Sequence, residues 1–489
     1  MSPAEREFDI VVYGATGFSG NLTAEHLARA GSSARIALAG RSSERLRAVR
    51  ETLAPTARDW PLIVADASQP ATLEAMATRT RVVLTTVGPY TRYGLPLVAA
   101  CAKAGTDYAD LTGELMFCRN SIDLYHKQAA DTGARIVLAC GFDSVPSDLS
   151  VYLLYRRAIE DGTGELCDTH LVLRSFSQRW VSGGSVATYS EAMRTASSDP
   201  DAHRLVNDPY TLTTDRGAEP ELGPQPDFPR RRGRDLAPEL AGFWTGGFVQ
   251  GPFNTRIVRR SNALQDWAYG RRFRYSETMS LGRSFLAPVA SAVVTGAVAG
   301  AIGLGNRYFS RLPRRLVDRI TPKPGTGPSR KSRQRGHYRF ETYTTTTTGA
   351  RYLATLRTMS TPTSRLRCCS GSVVWHWRSI AAGFPHCGGP YPRGDDGRCA
   401  AGASAGRRDF DRDGPPELTR AGPLPRPADQ LGASPAHRAD ERKLRQRARK
   451  ILAQAVIRVG PAGLIGKDRH EDLGRRSSRQ QSQISPYGP

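Results

Sequence analysis

Three glycines, Gly14, Gly17 and Gly20 in FDIVVYGATGFSGNLTAEHL, stand where an apolar run ends and an amphipathic stretch begins. A strand, a glycine-bearing turn and a helix in that order open a βαβ unit. Each glycine has its own reason to be there. The first permits a sharp turn after the strand. The second lets the backbone come within contact of a pyrophosphate, where a Cβ would collide. The third lets the helix pack close on the strand. The helix then offers its N–H groups and the positive end of its dipole to the phosphates. Thr16, Phe18 and Ser19 lie on the same turn and complete the expected pyrophosphate cradle.

From residue 8 to 140 the same alternation continues. Strands are expected at Asp9–Tyr13, Arg35–Ala39, Pro61–Ala65, Arg81–Val87, Asp107–Leu111 and Arg135–Ala139. Helices are expected at Asn21–Ala30, Ser43–Leu53, Gln69–Thr78, Pro96–Lys103 and Ile122–Asp131. Continuous apolar runs of about five residues, separated by helices, suit a parallel sheet covered on both faces. The expected class is therefore α/β, with residues 1–149 forming a doubly wound, Rossmann-type dinucleotide-binding domain. Beyond Ser150, strand-like stretches (Thr169–Ser175, Arg272–Ser280, His337–Thr347) mix with loops rich in Pro, Arg and Gly, notably residues 214–240. HYRFETYTTTTTGARYLATL alternates at period two with many β-branched residues and predicts an antiparallel strand pair. Residues 150–355 are expected to form an α+β second domain.

About 20 residues past the glycines, an NAD-binding protein places Asp or Glu against the ribose 2′-hydroxyl. Here the second strand runs into Arg41, Ser42 and Ser43, with no carboxylate until Glu44. A guanidinium and two hydroxyls suit a 2′-phosphate, so NADPH is the expected cofactor. Asp66, closing the third strand, is placed to meet the adenine or to cap the next helix. After the fourth strand, TTVGPYTRYG puts Gly88 and Pro89 under the nicotinamide ribose, and the phenols of Tyr90 and Tyr93 near the reacting carbon. No Tyr is followed four residues later by Lys, which excludes the Tyr-x-x-x-Lys mechanism common on this fold. Two later clusters, TDYADLTGE with Asp107, Tyr108, Asp110, Thr112 and Glu114, and CGFDSVPSDL with Phe142, Asp143, Ser144, Ser147 and Asp148, also close strands. Open α/β sheets place their ligands at those ends.

The formal charge of +23 suggests nucleic acid at first sight, but residues 351–489 hold 25 Lys+Arg against 12 Asp+Glu, more than half of the excess. Only seven basic residues are Lys. That bias reads as a GC-rich genome rather than phosphate recognition, and no nucleic-acid partner is expected. Charges in MSPAEREFDI exclude a secretion signal there, and the scattered cysteines fit a reducing cytoplasm. Phe285–Gly305 carries no charge. It reads as a buried helix of the second domain, with a membrane-associated segment or a wall facing a lipid substrate as alternatives. From residue 356 to 489 all periodicity is lost. Cys368, Cys369, His386, Cys387 and Cys399 fit no paired zinc spacing, so no metal is expected. The Arg/Pro/Ala/Gly mixture reads as a disordered or out-of-frame tail.

Taken together, VVYGATGFSGNLTAEHL, ALAGRSSERL, TVGPYTRYGLPLVAACAKAGTDYADLTGE and GFDSVPSDL resemble the saccharopine dehydrogenase-like reductases. Within that group they resemble the mycobacterial trans-acting enoyl reductases of phthiocerol and phenolphthiocerol lipid assembly. The resemblance runs from Met1 to about Thr355. It implies a stand-alone, cytoplasmic NADPH-dependent reductase, acting on an enoyl thioester carried by the acyl carrier protein of a type I polyketide synthase. It also leaves room for peripheral association with the inner face of the plasma membrane. Such chemistry needs hydrogen-bond donors at the thioester oxygen and a proton for the α-carbon. Tyr90, Tyr93 and Ser144 are the expected donors, with Asp143 and Glu114 as orienting groups. A saccharopine-type amino-acid dehydrogenase, using Arg174, Arg179 and Arg194 for substrate carboxylates, and a non-catalytic NADP-binding scaffold on lipid are the competing readings.

Overall fold

Valines 11 and 12 of the first strand are both wholly buried, yet they belong to two different hydrophobic clusters. Successive side chains of a strand point to opposite faces, so this sheet is covered on both. The computed structural model describes residues 6–176, 200–303, 327, 329, 336–357 and 458–461. Its first part runs β1 (Phe8–Tyr13), α1 (Phe18–Ala30), β2 (Ile36–Gly40), α2 (Ser43–Thr52), β3 (Leu62–Val64), α3 (Pro70–Arg79), β4 (Thr80–Thr85), α4 (Tyr90–Tyr93), α5 (Leu95–Ala104), β5 (Asp107–Ala109), α6 (Leu115–Thr132) and β6 (Ile136–Val137). All six strands are parallel, in the order β3-β2-β1-β4-β5-β6. Val11, Val83, Leu97 and Phe117 pack beneath α3, α5 and α6, while Val12, Leu27, Leu38 and Leu46 pack under α1 and α2. The doubly wound architecture read from the sequence is the one observed.

The second part runs α7 (Val145–Glu160), β7 (Leu166–Phe176), α8 (Pro200–Asn207), β8 (Arg231–Arg232), β9 (Trp244–Gly247), α9 (Gly251–Leu264), β10 (Arg274–Ser280), α10 (Ala287–Gly303), β11 (Tyr338–Thr346), β12 (Arg351–Arg357) and β13 (Arg458–Pro461). Seven strands form a mixed sheet, β13-β12-β11-β7-β10-β9-β8, in which β7 pairs parallel with β10 and antiparallel with β11. The predicted Thr-rich pair is the β11–β12 hairpin. No break falls at the expected 149/150 boundary. There α7 passes straight through, with Leu149 against the first domain's core and Val151, Leu154 and Ala158 in the second's. A helix with apolar positions along its whole length can serve two cores in turn. Of the tail expected to lack order, Leu356 and Arg357 complete β12 and Arg458–Pro461 adds an edge strand to it, and its remaining residues, with all of the cysteines and the histidine weighed as ligands, lie outside the described residues.

The segment from the end of α8 to the Pro/Arg/Gly-rich stretch is anchored by buried arginines. Arg119 of α6 donates to the carbonyls of Thr211 and Thr213, Arg256 to Val206, Arg259 to Pro209 and Arg260 to Leu212. Asp227 neutralises Arg256 and Arg259. A guanidinium offers five donors in a rigid fork, which lets one side chain hold several backbone oxygens that the loop itself cannot pair.

Gly20 is the tightest point of the first domain: a Cβ there would lie 2.1 Å from the Gly14 carbonyl oxygen. Gly20→Ala should therefore cost about 1–3 kcal/mol, the range for overpacking, read as a lower urea midpoint. An unchanged midpoint would mean that α1 can slide off β1 without loss.

Candidate functional site

The order β3-β2-β1-β4 reverses direction at β1, and the crevice beyond the carboxyl ends of β1 and β4 is where such sheets take a dinucleotide. Gly14 leaves β1 with φ +86°, and a Cβ there would fall 2.8 Å from Val87 and 2.9 Å from Thr86. Thr86 closes the turn, its N–H donating to Tyr13 O at 3.0 Å and its hydroxyl to Gly14 O at 3.3 Å. Gly17 caps α1 without any side-chain hydrogen bond, and the first turn of α1 holds no acidic residue. The helix therefore turns an unneutralised positive dipole end outward, flanked by exposed Thr16 and half-buried Phe18 and Ser19. A Cβ on Gly17 would meet only the Gly14 oxygen, at 3.3 Å. The protein alone makes little demand for glycine here, whereas a pyrophosphate against the backbone does.

Arg41 is exposed beyond β2, where it acts electrostatically on Asp66 and on the buried phenol of Tyr13. Ser42 caps α2 by accepting from Arg45 N–H at 3.3 Å, and Ser43 is the exposed first residue of that helix. Asp66 caps no helix: α3 begins after Gln69, and the Asp66 carboxylate instead accepts from the Ser68 N–H and hydroxyl, which hold its pKa down.

The expected donors separate on their hydrogen bonds. Tyr90 is buried against Phe117, donating its only proton to Thr85 O at 3.3 Å and accepting from Leu111 N–H at 3.2 Å. That phenol ties the end of β4 to the end of β5 and has no proton left for a ligand. Tyr93 is half-buried, its ring 5.2 Å from the Arg92 guanidinium, and its hydroxyl makes no hydrogen bond among the described residues. Glu114 orients the loop that carries both tyrosines. Its buried carboxylate accepts from the N–H groups of Tyr90 and Thr91, each at 2.7 Å, satisfying the start of α4 just after Gly88 and Pro89. Asp110 similarly joins the ends of β5 and β6, accepting from Thr112 N–H, Ala139 N–H and the Tyr108 hydroxyl, and burial pushes its pKa up to about 7.

Past β6, Asp143 is exposed while Ser144 is buried and donates to Asn254 Oδ1 at 2.9 Å. Asn254, on α9, gives its amide hydrogens to Asp143 O (2.8 Å), Glu277 (3.0 Å) and Ser147 (3.2 Å). The Tyr275 hydroxyl also donates to Glu277, at 2.9 Å. This polar knot fastens the Asp143–Ser147 turn of the first domain to α9 and β10 of the second. Asn254 and Glu277 are its members that no pattern in the sequence marks: one sits mid-helix and the other mid-strand, 107 or more residues from the turn they hold. Phe142 reinforces the join, with its ring 4.6 Å from that of Tyr338. Arg174, weighed as a carboxylate binder, is committed to Glu341 at 3.0 Å and to the face of Phe243, and Arg179 and Arg194 lie outside the described residues.

Comparison with known proteins places this geometry in a family. Residues 10–137 match the saccharopine dehydrogenase NADP binding domain. The chain is 86% identical over 355 residues to trans-acting enoyl reductases of Mycobacterium tuberculosis and Mycobacterium bovis, covering 73% of this chain and 85% of theirs. It is 82% identical over 355 residues, with the same coverage, to the enzyme of that name from Mycobacterium leprae. Among solved structures, saccharopine dehydrogenase (L-Glu forming) from Saccharomyces cerevisiae aligns at TM-score 0.40 and 11% identity over 78% of this chain and 94% of that one, too distant to bear on function.

Two outcomes check the site. Arg41→Ala should weaken NADPH binding about ten- to hundredfold, the worth of a charge-assisted hydrogen bond, and leave NADH binding nearly unchanged by fluorescence titration. Equal losses would remove Arg41 from the 2′-phosphate. Burial also pushes Glu277 up to about 7, so the fold favours its protonated form. That contribution is complete below the unfolded carboxyl's pKa of about 4 and is lost as pH rises through about 7. Urea midpoints of wild type relative to Glu277→Gln should accordingly decline between those limits and level off above, and a flat difference would show that Glu277 stays ionised.

Proposed function

The chain belongs to the trans-acting enoyl reductases, which share the saccharopine dehydrogenase NADP-binding domain, and we propose that it reduces an α,β-unsaturated thioester held on the acyl carrier protein of a polyketide synthase. It is an NADPH-dependent oxidoreductase acting on a carbon–carbon double bond. The single observation that carries the reading is the 86% identity over 355 residues, 73% of this chain. NADPH supplies the hydride that the β-carbon receives. The protein's part is to hold that cofactor through Gly14–Gly20 and Arg41, and to manage charge and proton on the thioester side.

Tyr93 is the donor best placed to serve the thioester oxygen. Its phenol carries a proton that is uncommitted among the described residues, on a loop whose backbone Glu114 fixes beside the carboxyl end of β4. Ser144, Asn254 and Glu277 keep the Asp143 turn in place, which supports Asp143 as an orienting group. A donor fixed before the reaction spends nothing on reorganisation when charge develops. Phthiocerol and phenolphthiocerol lipid assembly is the pathway that fits such a reductase. A cytoplasmic location at the inner face of the plasma membrane fits the same role.

The test follows NADPH oxidation with three classes of substrate: a 2-enoyl thioester on an isolated carrier protein, saccharopine, and 2-oxo acids with an amine. Turnover should appear with the enoyl thioester alone, and Tyr93→Phe should lower kcat about 10²–10⁴-fold, the usual worth of a positioned acid, with KM little changed. Turnover with saccharopine instead would make the chain an amino-acid dehydrogenase. NADPH binding without turnover on any of the three would leave only a cofactor-binding scaffold.

A further inference from the structure

Helix α10 is built inside out. Its polar side chains face the protein: the Ser291 hydroxyl donates to Thr245 O at 2.6 Å, and the Thr295 hydroxyl accepts from Gly247 N–H at 2.9 Å. Glycines in β9 let it come this near, since a Cβ would fall 3.0 Å from the Thr295 hydroxyl at Gly246 and 3.1 Å from Val298 at Gly247. Two of its valines face away. Val289 is 60% and Val293 64% exposed, and in the turn before the helix Phe285 is 88% and Leu286 57% exposed. These positions succeed one another at helical spacing and make one face, and no charged residue interrupts it from 285 to 305. The buried helix expected from the sequence is thus buried on its polar side only. A continuous apolar surface of this kind on a folded domain marks an interaction site.

The rim of that face says what kind. Arg230, Arg232 and Arg283 are all exposed around its amino-terminal end, and none has an acidic partner among the described residues. Arg230 donates to Pro288 O at 3.2 Å, which ties the cluster to the start of α10. The guanidinium groups of Arg230 and Arg232 lie 5.4 Å from the Trp244 ring, and that of Arg283 lies 4.0 Å from the Phe243 ring. Apolar side chains bordered by arginine and tryptophan are the composition of a bilayer interface, where the aliphatic stems and rings sink and the charges meet phosphates. The 17 residues of α10 reach roughly 25 Å at a helical rise of 1.5 Å, against about 30 Å of hydrocarbon. No helix among the described residues is long and apolar enough to cross a membrane.

We propose that this face seats the protein on an anionic lipid surface, with α10 lying in the interface plane and Arg230, Arg232 and Arg283 on headgroup phosphates. Such a surface would account for a peripheral location at the membrane, yet it stands on α10 and its rim and is independent of the reductase chemistry.

Co-sedimentation of the full chain with phosphatidylglycerol/phosphatidylcholine vesicles, compared with pure phosphatidylcholine vesicles, tests it. The wild type should sediment with the anionic vesicles and much less with the neutral ones. R232Q/R283Q should bind the anionic vesicles about tenfold or more weakly, given the usual worth of two basic residues at a charged membrane. V289S/V293S should lose binding at least as far. Both variants should keep the wild-type circular dichroism spectrum and NADPH affinity, which separates docking from folding and from the cofactor site. Variants that sediment like the wild type, or a wild type that ignores anionic vesicles, would overturn the assignment. So would a wild-type dimer that V289S/V293S turns monomeric without any vesicle binding, since the face would then pair with a second copy. Loss of reductase activity with vesicle binding intact would count against the function alone.

Discussion

Everything at the cofactor end depends on how near α1 can come to β1. The space beside the Gly14 carbonyl admits no Cβ at position 20, and that close approach sets the amino terminus of α1 over the gap between β1 and β4. With the helix start uncapped and without acid in its first turn, the unneutralised dipole end is delivered to the switch point of the sheet. Move α1 outward by the width of a methyl group and the phosphate-binding backbone leaves the crevice. The turn is thus a packing constraint first and a binding motif second.

The second dependence is polar and lies between the domains. Asn254 and Glu277 come from the second domain and hold a turn of the first, so neither domain alone fixes that turn. The buried arginines of α6 and α9 extend the same join, gripping the carbonyls between Val206 and Thr213. Because such groups are costly to leave unpaired when buried, the join is specified by geometry as well as by apolar contact. It keeps the Asp143 turn against α9 and β10, while Glu114 and Asp110 fix the loops at the ends of β4, β5 and β6.

Much of this is legible in the amino-acid sequence, and the reason is locality. Strand–turn–helix periodicity, the three glycines and the Arg41–Ser43 corner are all properties of neighbouring residues. The strands observed at Phe8–Tyr13, Ile36–Gly40 and Thr80–Thr85 accordingly lie within a few residues of those expected. Tyr90 shows where locality ends. Two tyrosines three residues apart on one loop look equivalent in sequence, but one turns into the core to bridge Thr85 and Leu111 while the other stays at the surface. Ser42 likewise has the position of a phosphate ligand and serves as a helix cap. The fate of each depends on what the next strand or helix offers it.

The doubly wound domain, the dinucleotide turn, the preference for a 2′-phosphate and the family are all written along the chain itself, in short-range pattern or in residue identity. Packing of the whole molecule chose which tyrosine is buried with its proton committed, made Asn254 and Glu277 the lock between the two domains, and turned the uncharged helix α10 so that it hides its hydroxyls and shows Val289 and Val293. Those outcomes depend on partners a hundred residues away or on which side of a helix meets a neighbouring strand. No local spacing encodes that choice, because it is made by the competition for burial when the whole chain packs.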